Sequence, residues 1–193
     1  MIRDKKPAIV LEGPDGSGKT TLAKKLCEAL DLQYMHLTYI EDQEELHKQF
    51  KEASDRMRNG DVVIDRFILS NTVYPGHIVL HSSHFLGNLV QGIREGRVFH
   101  ITCLPEDKEL YLKEFEKLCS GRDELYTSVD LMSKIYDDFK KEDEELLKMT
   151  GRSPRVMHYD RFSNVPVREQ LKRLFDLWPG ALPTKLVEKY NLG

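Results

Sequence analysis

Residues 13–20 read Gly-Pro-Asp-Gly-Ser-Gly-Lys-Thr. A glycine, four residues, then glycine, lysine and a hydroxyl residue is the Walker A spacing of a phosphate-binding loop. With glycine at its usual frequency, a chance match in a chain this long has a probability on the order of 1%. Each residue type has a reason to be there. Gly13, Gly16 and Gly18 carry no Cβ, so the main chain can take left-handed angles and turn its N–H groups around phosphate oxygens. A helix starting near Lys19 adds the positive end of its dipole. The Lys19 ammonium reaches the outer phosphates, and the Thr20 hydroxyl can enter the oxygen shell of a magnesium ion. Asp15, Ser17 and Thr21 complete the stretch that would surround a nucleoside triphosphate tail.

Asp65 and Arg66 form the second constellation, followed by Phe67-Ile68-Leu69-Ser70-Asn71-Thr72-Val73-Tyr74. They end an aliphatic run, Val62-Val63-Ile64, that reads as a strand buried on both faces. In a parallel sheet, ligands sit beyond the carboxyl ends of strands, so an Asp-Arg pair there can face phosphates held by the glycine loop. A surface ion pair is the competing reading of Asp65-Arg66 taken alone; the adjacent loop reverses the odds.

The elements that must position these residues alternate between strand-like and helix-like periodicity, as in a mostly parallel sheet covered by helices. Strands are expected at Pro7–Glu12, Gln33–Leu37, Asp61–Asp65, Val98–Cys103 and Arg155–Tyr159. Helices are expected at Lys19–Leu30, Glu41–Met57, Ser82–Glu95, from Pro105 toward Cys119, at Val129–Lys148 and at Val165–Trp178. The fold class is therefore a three-layer α/β/α arrangement of the P-loop NTPase type, with five strands and a single domain over residues 1–193. The acidic stretch Lys141–Glu145 reads as the solvated face of the long helix. Pro179, Gly180 and Pro183 suggest a tail packed on the body.

Composition sets outer limits. The chain has 193 residues, 40% of them hydrophobic and 32% charged, too apolar for a disordered chain. No apolar run approaches the ~20 residues of a membrane span. The first strand begins too early for a signal peptide, so a cytoplasmic location is expected. A formal charge of −3 argues against holding nucleic acid by bulk charge. Cys27, Cys103 and Cys119 have no ligand spacing and are expected to be reduced and mostly buried. His77, His81 and His84 show no metal-ligand spacing.

The segments Ile9–Leu26 and Asp65–Gly76 resemble the thymidylate kinase branch of P-loop nucleoside monophosphate kinases. The stretch Leu104–Phe115 followed by Gly121–Tyr126 looks like that family's helix and arginine-bearing lid, here about 118–130. The resemblance covers most of residues 7–175 and implies ATP and Mg2+ as cofactors. It implies that Lys19 and the loop amides hold the donor, that Thr20 and Asp65 position the metal, and that Arg66 bridges donor and acceptor phosphates. Asp15 matches the family acid that contacts the acceptor's 3′-hydroxyl. Phe67, Ser70 and Tyr74 fall in the acceptor pocket, where an aromatic face could stack on a base. Some relatives carry an arginine in the loop where this chain has Ser17. The missing cation is expected from Arg122, with Arg152 and Arg155 behind it.

Two positions depart from the family. His36-Leu37-Thr38-Tyr39 replaces its Arg-Glu-Pro, and Pro75 replaces a glutamine. Both fall where the acceptor is read, and His36 could approach an acceptor phosphate, although a packed or solvated histidine is the commoner outcome. The expected reaction moves the γ-phosphoryl group of ATP to a nucleoside 5′-monophosphate, thymidylate or a related, modified pyrimidine deoxynucleotide being favoured. A kinase acting on a hydroxyl, of a nucleoside or of a 5-hydroxymethylated base in DNA, is the alternative; the weakly acidic charge disfavours DNA. A regulatory nucleotide-binding NTPase is the alternative of another class. A homodimer through the helices after residues 65 and 82 would follow family habit.

Overall fold

A computed structural model of the protein describes residues 6–38, 40–75, 83–119 and 128–178. Arg122 with most of the lid segment, His77, His81 and the tail from Pro179 lie outside them. Five strands, β1 (Ala8–Glu12), β2 (Gln33–His36), β3 (Val62–Asp65), β4 (Val98–Cys103) and β5 (Val156–Tyr159), form one sheet in the order β2-β3-β1-β4-β5. All four pairings are parallel. The register sets Leu11 opposite Asp65 and Asp65 opposite His36, so the carboxyl ends of β1, β3 and β2 finish side by side.

Alternation along the central strands fills two cores. Ala8, Val10, Val62 and Ile64 face one layer, built from α2 (Gln43–Asn59), α3 (Ile68–Val73), α4 (Ser83–Arg94), α5 (Lys108–Cys119) and α6 (Val129–Met149). Ile9, Leu11, Val63 and Phe99 face the other, with α1 (Lys19–Leu30), α7 (Val167–Gln170), α8 (Lys172–Asp176) and Trp178. A sheet buried on both faces needs aliphatic residues at every position, which explains the unbroken run before Asp65.

The structure moves several sequence-derived boundaries, each for a local reason. The Asp42 carboxylate accepts from the Glu45 amide at 2.8 Å, capping α2 two residues later than expected. Asp107 does the same for the Leu110 amide at 2.9 Å, so Pro105 and Glu106 precede α5 instead of forming its first turn. The closing helix is two short helices, interrupted where Leu171 turns to φ −103°, ψ 21° and buries its side chain. Asp143 is not on a solvated face: it reaches from α6 to the Thr102 hydroxyl and to His158 Nε2 at 2.6 Å. Cys103 is buried, whereas Cys27 and Cys119 are only half-buried. Helix α3 was not expected, and its cap comes from a distant strand.

Candidate active site

The glycine loop leaves the carboxyl end of β1 and enters α1. Gly13, Gly16 and Gly18 have φ of 142°, 74° and 89°. A Cβ on Gly13 would stand 2.2 Å from the Cys103 carbonyl oxygen, so only glycine lets the loop cross the end of β4. Helix α1 has Gly18 at its N-cap, no side-chain cap and no acid in its first turn. The amides of that turn have no helical partner, and no side chain of α1 competes for them. Together they form an anion site by construction.

Three successive loop carbonyls are tied to side chains. Pro14 accepts from Lys19 Nζ at 2.7 Å, Asp15 from the Tyr111 hydroxyl at 2.6 Å, and Gly16 from Arg161 Nη1 at 2.5 Å. These bonds draw loop carbonyls away from the space an anion would occupy. The Asp15 amide donates to the Tyr74 hydroxyl at 2.8 Å, and its carboxylate pairs with Arg66. Lys19 is buried, which lowers its pKa against the opposing pull of Asp15 and Asp65. A cavity of about 220 Å³ opens over the loop, with Arg66 and Arg161 among its lining residues. Ser17 Oγ is buried without a partner on the Gly13 side of the loop.

Asp65 closes β3 beside the start of α1. Its Oδ2 accepts from the Thr20 hydroxyl at 2.6 Å and the Tyr34 hydroxyl at 2.8 Å, and lies 3.2 Å from His36 Nδ1. Burial pushes the carboxyl pKa up, but His36, Thr20, Tyr34 and the Lys19 charge outweigh it and hold Asp65 at about 2. Its Oδ1 is buried with no partner. An ionised oxygen left over beside a threonine hydroxyl suits a hard divalent cation, so these residues fit magnesium.

Arg66 sits at φ 73°, in the left-handed region, with its amide bonded to the Leu11 carbonyl at 2.9 Å. Its ion pair is with Asp15, not with its neighbour Asp65. The guanidinium lies 5.5 Å from the Tyr74 ring centroid. Behind it, Glu12 is fully buried and accepts from the amides of Phe67, Leu69 and Ser70 at 2.9, 2.9 and 3.1 Å, and from the Ser70 hydroxyl.

Several expected site residues are otherwise engaged. Phe67 is 1% exposed and packs on Phe50 at 5.3 Å, while Tyr74 is 2% exposed with its ring edge on Phe139. Neither ring is open for stacking a base: Phe67 is inside the apolar core, and Tyr74 is covered by Phe139 and by the Arg66 guanidinium. Ser70 is committed to Glu12, and His36 stands on Asp65 instead of facing an acceptor phosphate. The crevice between α2 and α3, which Arg66, Phe67 and Ser70 line, holds only about 20 Å³. Arg152 and Arg155 lie at the opposite end of the sheet, Arg155 with its guanidinium 4.5 Å from the Phe99 centroid.

The cation that reaches the loop is Arg161, which the sequence reading missed along with Glu12, Tyr34 and Tyr111. One signal could have found it: Asp160-Arg161-Phe162 ends β5 as Asp65-Arg66-Phe67 ends β3. The same tripeptide at two strand ends delivers two arginines to one cavity.

Fold and site together define a P-loop NTPase with the α/β architecture of P-loop kinases. The chain belongs to the ATPase family associated with various cellular activities (AAA), whose model matches residues 9–158. A cytidylate kinase of Thermosipho melanesiensis is 28% identical over 94 residues, 42% of this chain; the match spans 43% of that relative's length. Among solved structures, the YorR protein of Bacillus subtilis in complex with phosphorylated GDP is similar at a TM-score of 0.64 and 21% identity, covering 88% of this chain and 96% of that one. Shikimate kinase from Acinetobacter baumannii in complex with shikimate follows at 0.53 and 16%, covering 89% and 92%. Deoxyadenosine kinase from M. mycoides with bound dCTP stands at 0.51 and 15%, covering 88% and 97%.

Proposed function

We propose that the protein is an ATP- and Mg2+-dependent nucleoside monophosphate kinase, favouring thymidylate or a related pyrimidine deoxynucleotide. The observation that carries this reading is Arg66, which lines both the loop cavity and the crevice on the α2–α3 side. A guanidinium there can contact donor and acceptor phosphates together. The loop amides and Lys19 hold the donor phosphates, and Arg161 supplies the cation that the loop itself lacks at Ser17. Magnesium, when bound at Thr20 and Asp65, neutralises phosphate charge. The remaining work is positioning and electrostatics, because an acceptor phosphate is already an anionic nucleophile.

A phosphate acceptor suits the site better than a hydroxyl. A hydroxyl needs a proton acceptor, and the two nearby carboxylates serve poorly. Asp65 is held at about 2 by its donors, and Asp15 is paired with Arg66.

The test is ADP formation from ATP and magnesium with a panel of deoxy- and ribonucleoside monophosphates, modified pyrimidines included. Turnover that depends on a monophosphate is expected. Phosphate transfer only to nucleosides or DNA would establish the hydroxyl alternative. Hydrolysis indifferent to every acceptor would return the protein to the regulatory class.

A further inference from the structure

Among the described residues, Glu12 is the one fully buried carboxylate at this end of the sheet that touches neither the loop cavity nor the Thr20–Asp65 side. It receives four donors from a single segment: the amides of Phe67, Leu69 and Ser70 and the Ser70 hydroxyl. A carboxylate offers about four lone-pair sites, so the segment from 67 to 70 exhausts it. Helix α3 has no cap of its own, since Phe67 at its N-cap has no side-chain acceptor. Glu12 caps it from β1, 55 residues earlier in the sequence.

The residue next to this cap is Arg66, held at φ 73°. Side chains other than glycine avoid that region unless their surroundings impose it. Here the imposition comes from two consecutive residues of β1. The Leu11 carbonyl takes the Arg66 amide, and the Glu12 carboxylate takes the amide of Phe67. The same Glu12 is bonded in sequence to Gly13, where the glycine loop begins. One residue therefore fixes the distance between the loop and the arginine that faces it.

We propose that Glu12 is a positioning residue: through the backbone of residues 67–70 it keeps Arg66 in the left-handed turn that aims its guanidinium across the loop cavity. The role rests on the proposed kinase reading for its activity readout but not for its geometry. Glutamine would place an NH2 group against amide donors, and aspartate would fall one methylene short. Both changes should release the turn while leaving the sheet intact.

The experiment is a double-mutant cycle in monophosphate kinase turnover. Glu12→Gln should lower kcat by about tenfold or more, as expected for a displaced catalytic group, while the KM for ATP stays within about twofold of wild type. In an Arg66→Ala background, Glu12→Gln should cost nothing further, because the group it positions is gone. An equal loss in both backgrounds would mean that Glu12 only supports the fold, and unchanged kcat would overturn the proposal outright. Glu12→Asp serves as the second variant where the glutamine protein fails to fold. If the wild-type protein transfers no phosphate to any monophosphate, the kinase reading fails alone. Glu12 is then judged by hydrogen exchange: loss of protection confined to Phe67, Leu69 and Ser70 supports the proposal, and unchanged protection there refutes it.

Discussion

The two ends of the sheet both gather positive charge around a cavity, yet they are built differently. At the amino ends of the strands, Lys6, Arg58, Arg97 and Arg155 line a cleft of about 320 Å³, larger than the 220 Å³ over the glycine loop. Three of those four cations already have carboxylates: Lys6 with Asp31 at 3.2 Å, Arg58 with Asp55 at 2.5 Å, and Arg97 with Glu95. Arg155 lies against Phe99. At the carboxyl ends the donors belong largely to the main chain, and Asp65 Oδ1 and Ser17 Oγ remain buried and unused. Volume and charge would choose the wrong end. Arg155 Nη1 is unpartnered too, so what distinguishes the carboxyl end is the free main-chain amides of a helix start, an unpaired carboxylate oxygen on Asp65, and Gly13, where a Cβ would meet the Cys103 carbonyl.

The sharpest way to break this comparison is Lys19→Ala. It removes the only ammonium inside the loop and should reduce turnover by about 10²-fold or more, the scale of losing a main electrostatic stabiliser. Burial works against the Lys19 ammonium, lowering its pKa, which offsets its bond to the Pro14 carbonyl, so thermal unfolding should stay near that of wild type. Retained turnover would place the chemistry elsewhere. Arg161→Ala should come next, with a loss of about tenfold in kcat that Arg161→Lys restores in part, since a lysine cannot keep the planar fork. The alanine variant also loses the bond to the Gly16 carbonyl, so it loosens the loop from the end of β5.

The carboxyl-end carboxylates should answer pH in opposite directions. Burial raises Glu12 from 4.5 to about 7, although Ser70, the backbone amides and Lys19 oppose it. A group raised on folding stabilises below its ordinary value and loses that contribution as pH climbs through about 7. The span corresponds to about 3 kcal/mol. Asp65, held at about 2 against an ordinary 3.8, stabilises above 3.8 and loses its contribution as pH falls through about 2. His158, raised by its bond to Asp143, also loses stabilisation with rising pH. The difference between wild type and Glu12→Gln therefore isolates the first effect. In denaturant unfolding, that difference should shift against wild type between pH 5 and pH 8. A constant difference would mean that Glu12 titrates normally.

Much of the frame was legible because it is written in local patterns. The helix Lys19–Leu30 and the strand Val98–Cys103 were bounded correctly from periodicity, and the glycine spacing named the loop that the structure shows. What escaped depended on contacts between distant segments. Helix α3 is six residues long and owes its cap to Glu12, so no local signal announces it. Asp143 sits among charges typical of a solvated face, and only the position of Thr102 and His158 explains its burial. The role of Arg161 depended on β5 lying beside β4. Phe67 and Tyr74 show the converse error: their types suit base stacking, but the core took both rings first.

The smallest effects should come from the amino end, and they are the ones that sharpen the comparison most. Arg97→Ala removes a solvent-exposed pair with Glu95, which water screens, so stability should barely change. Arg155→Ala removes a guanidinium from the face of Phe99, an interaction of about 1 kcal/mol, and opens space beneath Gly96, whose absent Cβ would lie 3.0 Å from Arg155 Nη2. Both variants should keep turnover and the KM for ATP within about twofold of wild type, with Arg155→Ala alone showing a lower midpoint in thermal unfolding. Arg97 and Arg155, two of the four cations lining this cleft, are then structural, since removing their charge leaves turnover untouched. A loss of activity here comparable to that of Arg161→Ala would erase the distinction between the two ends.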